Sequence, residues 1–234
     1  MINKITGLEE AVKDIFDGAV ILVGGFGGPG APLNLVAAIS ELTLERNIQN
    51  LTLVVNAPSS SLFTWTNVKS VKKMIGSFLV PPYSTWRMPP LQEAILSGEI
   101  EIETIPQGTM VERIRAAGAG IPAFYTPVGA GTMVEEGKEK RTLGEEEYLL
   151  EFALGGDFAL IKGDKADRRG NITYRMSQRN FNSVMATAAK VTIAEVDAIV
   201  DEIDPEAVDT PGIFVDRVVK VPKQILEFRS VMRR

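Results

Sequence analysis

Three glycines, Gly25, Gly27 and Gly30, form a Gly-x-Gly-x-x-Gly pattern that could bind a negatively charged ligand. A β-prone apolar run, residues 19–23, precedes them, and helix-like spacing of apolar residues follows Pro32. A glycine-rich turn between a strand and a helix lets the backbone approach an anion, and the helix N-terminus adds N–H donors and a favourable dipole. The pattern therefore predicts either an anion-binding loop or a tight crossover whose glycines serve packing alone.

The dinucleotide interpretation of this pattern has a specific defect. A dinucleotide site needs an acidic residue near the end of the second strand, to bind a ribose hydroxyl. Here the second apolar strand, residues 51–55, ends in Asn56, and prolines lie within and just after the loop, at Pro29 and Pro32. The Gly-Lys-Ser/Thr of a nucleoside-triphosphate loop is also absent. The sequence thus weighs against both kinds of nucleotide site.

The amino-acid composition removes several mechanisms. The chain contains no cysteine and no histidine, which excludes disulfides, a thiolate nucleophile, a Cys/His zinc site and a Ser-His-Asp triad. Acid–base or nucleophilic chemistry must then use carboxylates, Lys, Tyr or hydroxyls, or residues of a second chain. A net charge of −5 and a pI near 5.0 argue against nucleic acid as a partner.

The length and hydropathy of the chain indicate one domain. Its 234 residues are 45% hydrophobic and 24% charged, and we expect a single domain over residues 1–234. The N-terminal segment lacks the apolar centre of a signal peptide, and glycines and prolines interrupt the longest apolar run. We therefore expect a cytoplasmic protein without a membrane partner.

Strand and helix signals alternate along the chain. This alternation predicts an α/β fold with an open, mainly parallel sheet and flanking helices. Thr109, with Glu112 three residues later, resembles the capping box of a helix N-terminus. Residues 121–132 are punctuated by Pro and Gly and are predicted to be a loop. Strands are predicted at 19–23, 51–55, 71–78, 99–105, 157–163, 171–176 and 191–200, a hairpin at 140–143 and 148–154, and helices after Pro32, at 109–120 and at 182–190.

A longer string around the glycines is more specific. "DGAVILVGGFGGPGAP", residues 17–32, resembles the signature of the first, or α, subunit of family I CoA-transferases. The matching positions are Asp17, Gly18, Gly24, Gly25, Phe26, Gly30 and Pro32. "PQGTMVERIRAAGAGIPAFYTPVGAGT", "GDFALIKGDKADRRGNITYRMSQRNFN" and "TPGIFVDRVV" resemble later blocks of the family. The likeness is greatest to 3-oxoacid and acetate CoA-transferases, with the 3-oxoadipate enzymes close behind.

The resemblance implies a reaction, a fold and a partner. In this family, CoA moves from an acyl-CoA to a carboxylic acid through a glutamyl-CoA thioester. That glutamate lies in a Ser-Glu-Asn-Gly motif of the β subunit, and this chain lacks the motif. The resemblance thus implies the CoA-transferase fold, half of an active site, and a β-subunit partner in an α2β2 assembly. It implies coenzyme A as a substrate, no permanently bound cofactor and no metal.

The resemblance also implies roles for individual residues. The Gln107 amide would donate to the oxyanion of tetrahedral intermediates, and Asn56 would lie close to the reacting thioester. From the residues alone, Gln107 could equally face solvent, and Asn56 could be a turn former. The loop that would contact CoA comprises Gly24, Gly25, Phe26, Gly27, Gly28, Pro29 and Gly30. Phe26 could equally be an ordinary core side chain.

Several alternatives remain open at this point. A ligand-binding sensor, or a relative of the sugar-phosphate isomerases that share this fold, would carry the same architecture without this reaction. Lys165, Arg168 and Arg169 could pair with CoA phosphates or form a polar turn. The Pro-rich segment 80–90, "VPPYSTWRMPP", is predicted to be an irregular insertion or a lid that could reshape the acyl pocket.

Overall fold

The structure is a computed structural model that describes residues 2–79 and 89–221. Apolar runs form its strands, and segments with helical spacing of apolar residues form its longer helices. The strands are β1 (Val20–Val23), β2 (Leu51–Val55), β3 (Val71–Gly76), β4 (Glu101–Thr104), β5 (Ala123–Thr126), β6 (Lys140–Leu143), β7 (Glu146–Phe152), β8 (Gly156–Ala166), β9 (Ile172–Thr173), β10 (Ala189–Ile199) and β11 (Arg217–Lys220). The helices are α1 (Leu8–Val12), α2 (Leu33–Glu45), α3 (Pro58–Ser61), α4 (Pro89–Ser97), α5 (Gln107–Gly118) and α6 (Asn182–Met185).

Seven of the strands form a parallel sheet in the order β11-β10-β8-β1-β2-β3-β4. The short strand β9 adds to β8 in the antiparallel direction. The order reverses direction at β1, whose neighbours are β2 on one side and β8 on the other. In open α/β sheets, ligands bind at the carboxyl ends of the strands near such a reversal. The loop that follows β1 therefore occupies the edge where a ligand is expected.

Strand β1 is buried on both faces of the sheet. Ile21 and Val23 belong to an apolar cluster on one face, together with Leu35 and Ile39 of α2. Leu22 belongs to a second cluster on the other face, with Met110 and Ile114 of α5 and Met185 of α6 contributing to it. Successive side chains of a strand point to opposite faces, so a continuous apolar run is what a strand between two helical layers requires.

No strand of the parallel sheet pairs with the second, smaller sheet among the described residues. Its three strands are antiparallel in the order β5-β7-β6. The predicted hairpin across 144–147 is confirmed by the pairing of β6 with β7. The predicted strands at 19–23, 51–55 and 71–78 are likewise confirmed by β1, β2 and β3, and α2 begins directly after Pro32 as expected.

Two local predictions were wrong. Thr109 does not cap α5, because the helix begins two residues earlier at Gln107, after Pro106 at the N-cap position. The fixed φ of proline is compatible with a helix start, and Pro106 therefore sets the boundary. Residues 121–132 are not a loop throughout, because β5 forms between Pro122 and Pro127. Both prolines lie outside that strand, where they remove no hydrogen bond from its ladder.

The structure also bears on the helix predicted at 182–190, on the Pro-rich segment and on the hydropathy of the helices. The helix predicted at 182–190 is shorter than expected, since α6 ends at Met185 and β10 begins at Ala189. The Pro-rich segment falls outside the described residues over 80–88, and its end forms the start of α4. Within residues 2–79 and 89–221, no helix is long and apolar enough to cross a membrane.

Candidate functional site

The glycine loop, residues 24–30, connects the carboxyl end of β1 to the segment that leads into α2. At Gly25, φ is +107°, and a Cβ there would lie 2.8 Å from Ser61 Oγ and 2.9 Å from the Cα of Ala31. At Gly30, φ is +73°, and a Cβ would lie 2.6 Å from the backbone oxygen of Gln178. Both the backbone conformation and the close approach of other atoms therefore require glycine at these two positions.

Two asparagines hold the glycine loop in place: Asn180, which precedes α6, and Asn182, the first residue of α6. The fully buried Asn182 donates from Nδ2 to the backbone oxygens of Gly30 (3.0 Å) and Gln178 (2.7 Å). Its Oδ1 accepts the N–H of Lys162 in β8 at 3.1 Å. Asn180 donates from Nδ2 to the backbone oxygen of Pro29 at 2.9 Å. The sequence analysis assigned no role to either residue, although the string "RNFN" contains two turn-forming asparagines directly before a helix.

The N-terminus of α2 is occupied by a carboxylate of the protein itself. Glu195, in the middle of β10, is 0% exposed, and its Oε2 accepts the backbone N–H groups of Asn34 (2.9 Å) and Leu35 (3.0 Å). Its Oε1 accepts the side-chain amide of Asn34 at 3.3 Å. These helix N–H groups are therefore bonded within the chain. They are therefore not free to bind an external anion.

Lys162 and Asp197 complete this buried cluster. Lys162 lies beside Glu195 in the sheet register, with Nζ 3.7 Å from Glu195 Oε1 and 2.6 Å from Asp197 Oδ1. Burial raises the pKa of the Glu195 carboxyl above its usual value, while Lys162 and the donors of Leu35 and Asn34 oppose that rise. The signal in the sequence was a glutamate flanked by apolar residues, Ala194 and Val196, in a predicted strand, since a buried carboxylate requires partners.

Within the glycine loop, some backbone N–H groups are hydrogen-bonded and others have no partner among the described residues. The N–H of Phe26 donates to the oxygen of Pro29 (3.1 Å) and that of Ala31 to the oxygen of Gly28 (3.2 Å), which closes the loop on itself. In the described part of the chain, no acceptor takes the N–H groups of the four positive-φ glycines, Gly25, Gly27, Gly28 and Gly30. Successive backbone donors in such conformations form concave sites for anions and polarised oxygens. Gly27 is exposed, whereas Gly25, Gly28 and Gly30 are buried. The unbonded donors of this region are thus in the loop rather than at the helix N-terminus, and that of Gly27 lies on the surface.

Gln107 and Asn56 meet across two strand ends. Asn56 follows β2, and Gln107 is the first residue of α5, directly after the β4 connection. Gln107 Nε2 donates to Asn56 Oδ1 at 2.7 Å. Asn56 is only 3% exposed, and its backbone oxygen accepts the N–H groups of Ser77 and Phe78. The two residues are therefore brought together, with Asn56 as the fixed partner and Gln107 as the partly exposed one.

Gln107 lines a cleft of about 770 Å³ between α5, β5 and residues 180–184. Phe26 extends from the glycine loop into this cleft and is 47% exposed, so it is not a core side chain. Its ring stacks on that of Phe181, with centroids 6.4 Å apart and an interplanar angle of 11°. The apolar side chains of the lining are Phe26, Val111, Phe124, Val128, Phe181 and Val184. The cleft therefore joins an amide donor, the loop tip and an apolar wall.

Comparison with known proteins supplies the family. The family model for coenzyme A transferase matches residues 5–221. This chain belongs to the coenzyme A transferase family. Over 227 residues it is 44% identical to the α subunit of the 3-oxoadipate CoA-transferase of Pseudomonas putida, and the match covers 94% of this chain and 95% of that protein. Over 220 residues it is 42% identical to the α subunit of the probable succinyl-CoA:3-ketoacid coenzyme A transferase of Bacillus subtilis (strain 168), and this match covers 92% of this chain and 88% of that protein.

A solved CoA-transferase has the same fold. The acyl-CoA transferase of Escherichia coli O157:H7, in a thioester complex with CoA, superposes with a TM-score of 0.79 at 22% identity. The match covers 95% of this chain and 48% of that one. The expected fold, the resemblance to CoA-transferase α subunits and the enzyme class are thus confirmed.

Among the described residues, two hydroxyls of this CoA-transferase chain are buried without a partner. They are Ser61 Oγ, which a Cβ at Gly25 would contact, and Oγ1 of Thr109, which lines the cleft. A buried polar atom without a hydrogen bond is costly. Both atoms lie close to the residues that were assigned to the site, which is where unsatisfied groups are commonly retained.

Residues 167–171 form a polar turn directly after Lys165 and Ala166, which end β8. Asp167 Oδ1 accepts the N–H groups of Arg169 (2.9 Å) and Asn171 (3.1 Å), and its Oδ2 accepts the Asn171 side-chain amide at 2.7 Å. The Arg169 guanidinium lies 3.9 Å from the Glu202 carboxylate. These bonds support the polar-turn interpretation for Arg168 and Arg169, whereas Lys165 lies in β8. None of the three residues lines the cleft.

Proposed function

We propose that this chain is the α subunit of a two-subunit CoA-transferase that moves CoA from an acyl-CoA to a 3-oxoacid or another short-chain acid. The observation that carries the proposal is the Gln107 amide, held by Asn56 at a cleft beside a loop with four free N–H groups. The relatives named above, which are α subunits of CoA-transferases, support the same reaction.

In the proposed reaction, the nucleophile is a glutamate of a partner β subunit. Its carboxylate attacks the thioester carbonyl of the acyl-CoA, and the tetrahedral oxyanion collapses to an acyl–glutamyl anhydride and CoA thiolate. The thiolate then attacks the glutamyl carbonyl, which gives a glutamyl-CoA thioester and releases the first carboxylic acid as its carboxylate. The acceptor carboxylate reverses these steps. Covalent catalysis of this kind needs neither histidine nor metal, consistent with the composition.

Gln107 stabilises the oxyanion in this proposal. One Nε2 hydrogen is donated to Asn56, which fixes the orientation of the amide, and the second hydrogen remains for the oxyanion. A donor that is oriented before the reaction pays no reorganisation cost when the charge develops. Asn56 contributes by holding Gln107, since it is almost fully buried.

The glycine loop contacts CoA in this proposal. The N–H of the exposed Gly27 donates to an oxygen of the CoA chain, whose thioester carbonyl must lie near Gln107, and the buried Gly25, Gly28 and Gly30 shape the loop around that contact. Phe26 and Pro29 are exposed on the loop surface, where they can pack against the ligand. Gly24 is buried, and its N–H donates to Leu160, so it positions the loop.

Reconstitution tests the proposed function. The chain alone should show no CoA transfer, and addition of a β-type chain with a Ser-Glu-Asn-Gly motif should restore it, with a mass that corresponds to α2β2. Hydroxylamine trapping should place the CoA thioester on the β chain. Robust turnover by the isolated chain, or a thioester on this chain, would contradict the proposal.

A further inference from the structure

The base of the glycine loop is bonded to strand β8 at both of its ends. The N–H of Gly24 donates to the backbone oxygen of Leu160 in β8 at 2.9 Å. At the other end, Gly30 accepts from Asn182, which in turn accepts the N–H of Lys162 in β8. Because Asn182 is 0% exposed, these bonds lie in the protein interior. The base of the loop is therefore part of the fold.

The tip of the loop, residues 26–29, has fewer contacts with the rest of the protein. Among the described residues, it receives one hydrogen bond from outside the loop, which Asn180 Nδ2 donates to the backbone oxygen of Pro29 at 2.9 Å. A Cβ at Gly27 would meet nothing within 4 Å. Glycine loses more conformational freedom on ordering than any other residue. A ligand that binds this tip must therefore pay for its ordering unless the protein has already ordered it.

The side chain of Asn180 is oriented towards this tip. Its Oδ1 accepts the N–H of Phe181 at 2.6 Å, and its Nδ2 donates to the backbone oxygens of Ser177 (2.7 Å) and Pro29. The amide therefore has its acceptor on an N–H group and its donor on carbonyl groups. The Phe181 ring stacks on Phe26, so two successive residues contact the tip. Asn180 is only partly buried and lines the cleft, unlike the asparagine at the base.

We propose that Asn180 is a positioning residue for CoA binding, because it holds the loop tip, with the Gly27 N–H and the Phe26 ring, in the conformation that contacts CoA. A tip that is ordered before binding loses less conformational entropy when the ligand arrives, which increases affinity. The Gln107 amide is held by Asn56, so the chemical step does not depend on Asn180. This inference rests on the proposed function, and it assigns CoA binding and oxyanion stabilisation to different side chains.

Asn180→Ala tests the inference in the reconstituted enzyme. The Kd of CoA and the KM of the acyl-CoA should rise about fivefold, the scale of one hydrogen bond, with kcat nearly unchanged. Without CoA, the N–H groups of Phe26 and Ala31, which close the loop, should exchange their hydrogens faster than in the wild type. Saturating CoA should remove this difference. Asn3→Ala, which removes an exposed asparagine outside the cleft lining, is the matched control and should change none of these quantities.

Asn180→Asp provides a second test with the same side-chain shape. The carboxylate still accepts the N–H of Phe181, but its second oxygen cannot donate and meets the backbone oxygens of Ser177 and Pro29. The KM of the acyl-CoA should therefore rise by more than in Asn180→Ala, again with kcat nearly unchanged. A residue with only a structural role would lower the free energy of unfolding in both variants without separating KM from kcat.

Two results would overturn the inference alone. One is equal KM and equal loop exchange in Asn180→Ala and Asn3→Ala, and the other is a fall in kcat with KM unchanged. If the reconstituted wild type neither binds CoA nor transfers it, the proposed function fails, and this inference fails with it. The two failures are distinguishable, because the first is measured in variants of an enzyme whose wild type is active.

Discussion

Two polar clusters at the same edge of the sheet differ in how their hydrogen bonds are used. In the buried cluster, the two oxygens of Glu195 accept three hydrogen bonds, and Lys162 and Asp197 add an ion pair. At the cleft, one hydrogen bond joins Gln107 to Asn56, and the Thr109 hydroxyl has no partner. The first cluster is complete without a ligand, whereas the second retains unused donors.

This difference changes the interpretation of the glycine pattern. A glycine loop before a helix usually suggests that loop and helix N-terminus bind one anion together. Here the two parts have different roles. The helix N–H groups of Asn34 and Leu35 donate to Glu195, whereas those of Gly25, Gly27, Gly28 and Gly30 in the loop have no partner in the part of the chain that the structure describes. The helix N-terminus stabilises the fold, and the loop is available for a ligand.

Removal of the buried carboxylate should have the largest effect. Glu195→Ala leaves the N–H groups of Asn34 and Leu35 without their acceptor, and we expect the free energy of unfolding to fall by about 3 kcal/mol, the lower end for a broken buried pair, since Asp197 still pairs with Lys162. Glu195→Gln retains an acceptor and should lose less. Chemical denaturation measures both. Glu202→Ala, which removes an exposed partner of Arg169, is the control and should cost no more than about 1 kcal/mol.

The next largest effect should be on catalysis by Gln107. Gln107→Ala should lower kcat by about 10²–10³, or roughly 3–4 kcal/mol, with CoA affinity nearly unchanged. Gln107→Glu should be at least as harmful, because a carboxylate has no N–H to donate. Single-turnover formation of the enzyme–CoA thioester measures the step. A rate equal to that of Gln49→Ala, an exposed glutamine, would remove Gln107 from the mechanism.

A change in the loop should mainly affect CoA binding. Gly25→Val places a branched side chain where φ is +107° and where Ser61 and Ala31 leave no space. Left-handed backbone costs an ordinary residue roughly 1–2 kcal/mol, so calorimetry should show CoA affinity at least about tenfold lower. Gly7→Val provides the control, since nothing lies within 4 Å of that Cβ. Equal CoA affinity in the two variants would assign Gly25 a structural role only.

The smallest effect should come from Thr109, and it should have the opposite sign. Thr109→Val removes a buried hydroxyl that has no partner, so the free energy of unfolding should rise by about 1 kcal/mol. Thr192→Val should instead lower it by a similar amount, because that hydroxyl donates to the oxygen of Ala186 at 2.9 Å. A loss of stability in both variants would show that Thr109 is partnered in solution.

The sequence was sufficient for features that neighbouring residues determine. The run of β1, the glycines after it and Pro32 before α2 are local signals, and the structure confirms all three. The bond between Asn34 and Glu195 joins residues 161 positions apart, so no local pattern could reveal it. Thr109 shows a second limit. Its capping-box pattern predicted a helix start, whereas α5 begins two residues earlier, after Pro106.

For the site, the sequence likewise indicated where residues lie along the strands but not which residues contact each other. Gln107 and Asn56 could be placed at strand ends, where ligands of α/β proteins bind, but their mutual hydrogen bond depends on the register between strands. Asn182 could not be found from the sequence because its side-chain bonds reach the glycine loop, β8 and its own turn. Such a residue is recognisable only when the fold has brought these segments together.

The central position of β1 has a consequence for biosynthesis. Val20, in β1, binds the Asp157 carboxylate at the start of β8, and 137 positions separate the two residues. A ribosome that adds about 5–20 residues per second therefore exposes one edge of β1 for on the order of ten seconds before β8 emerges. An unpaired apolar edge strand is a site for intermolecular pairing. The nascent chain thus depends on protection of this edge until its second half is made.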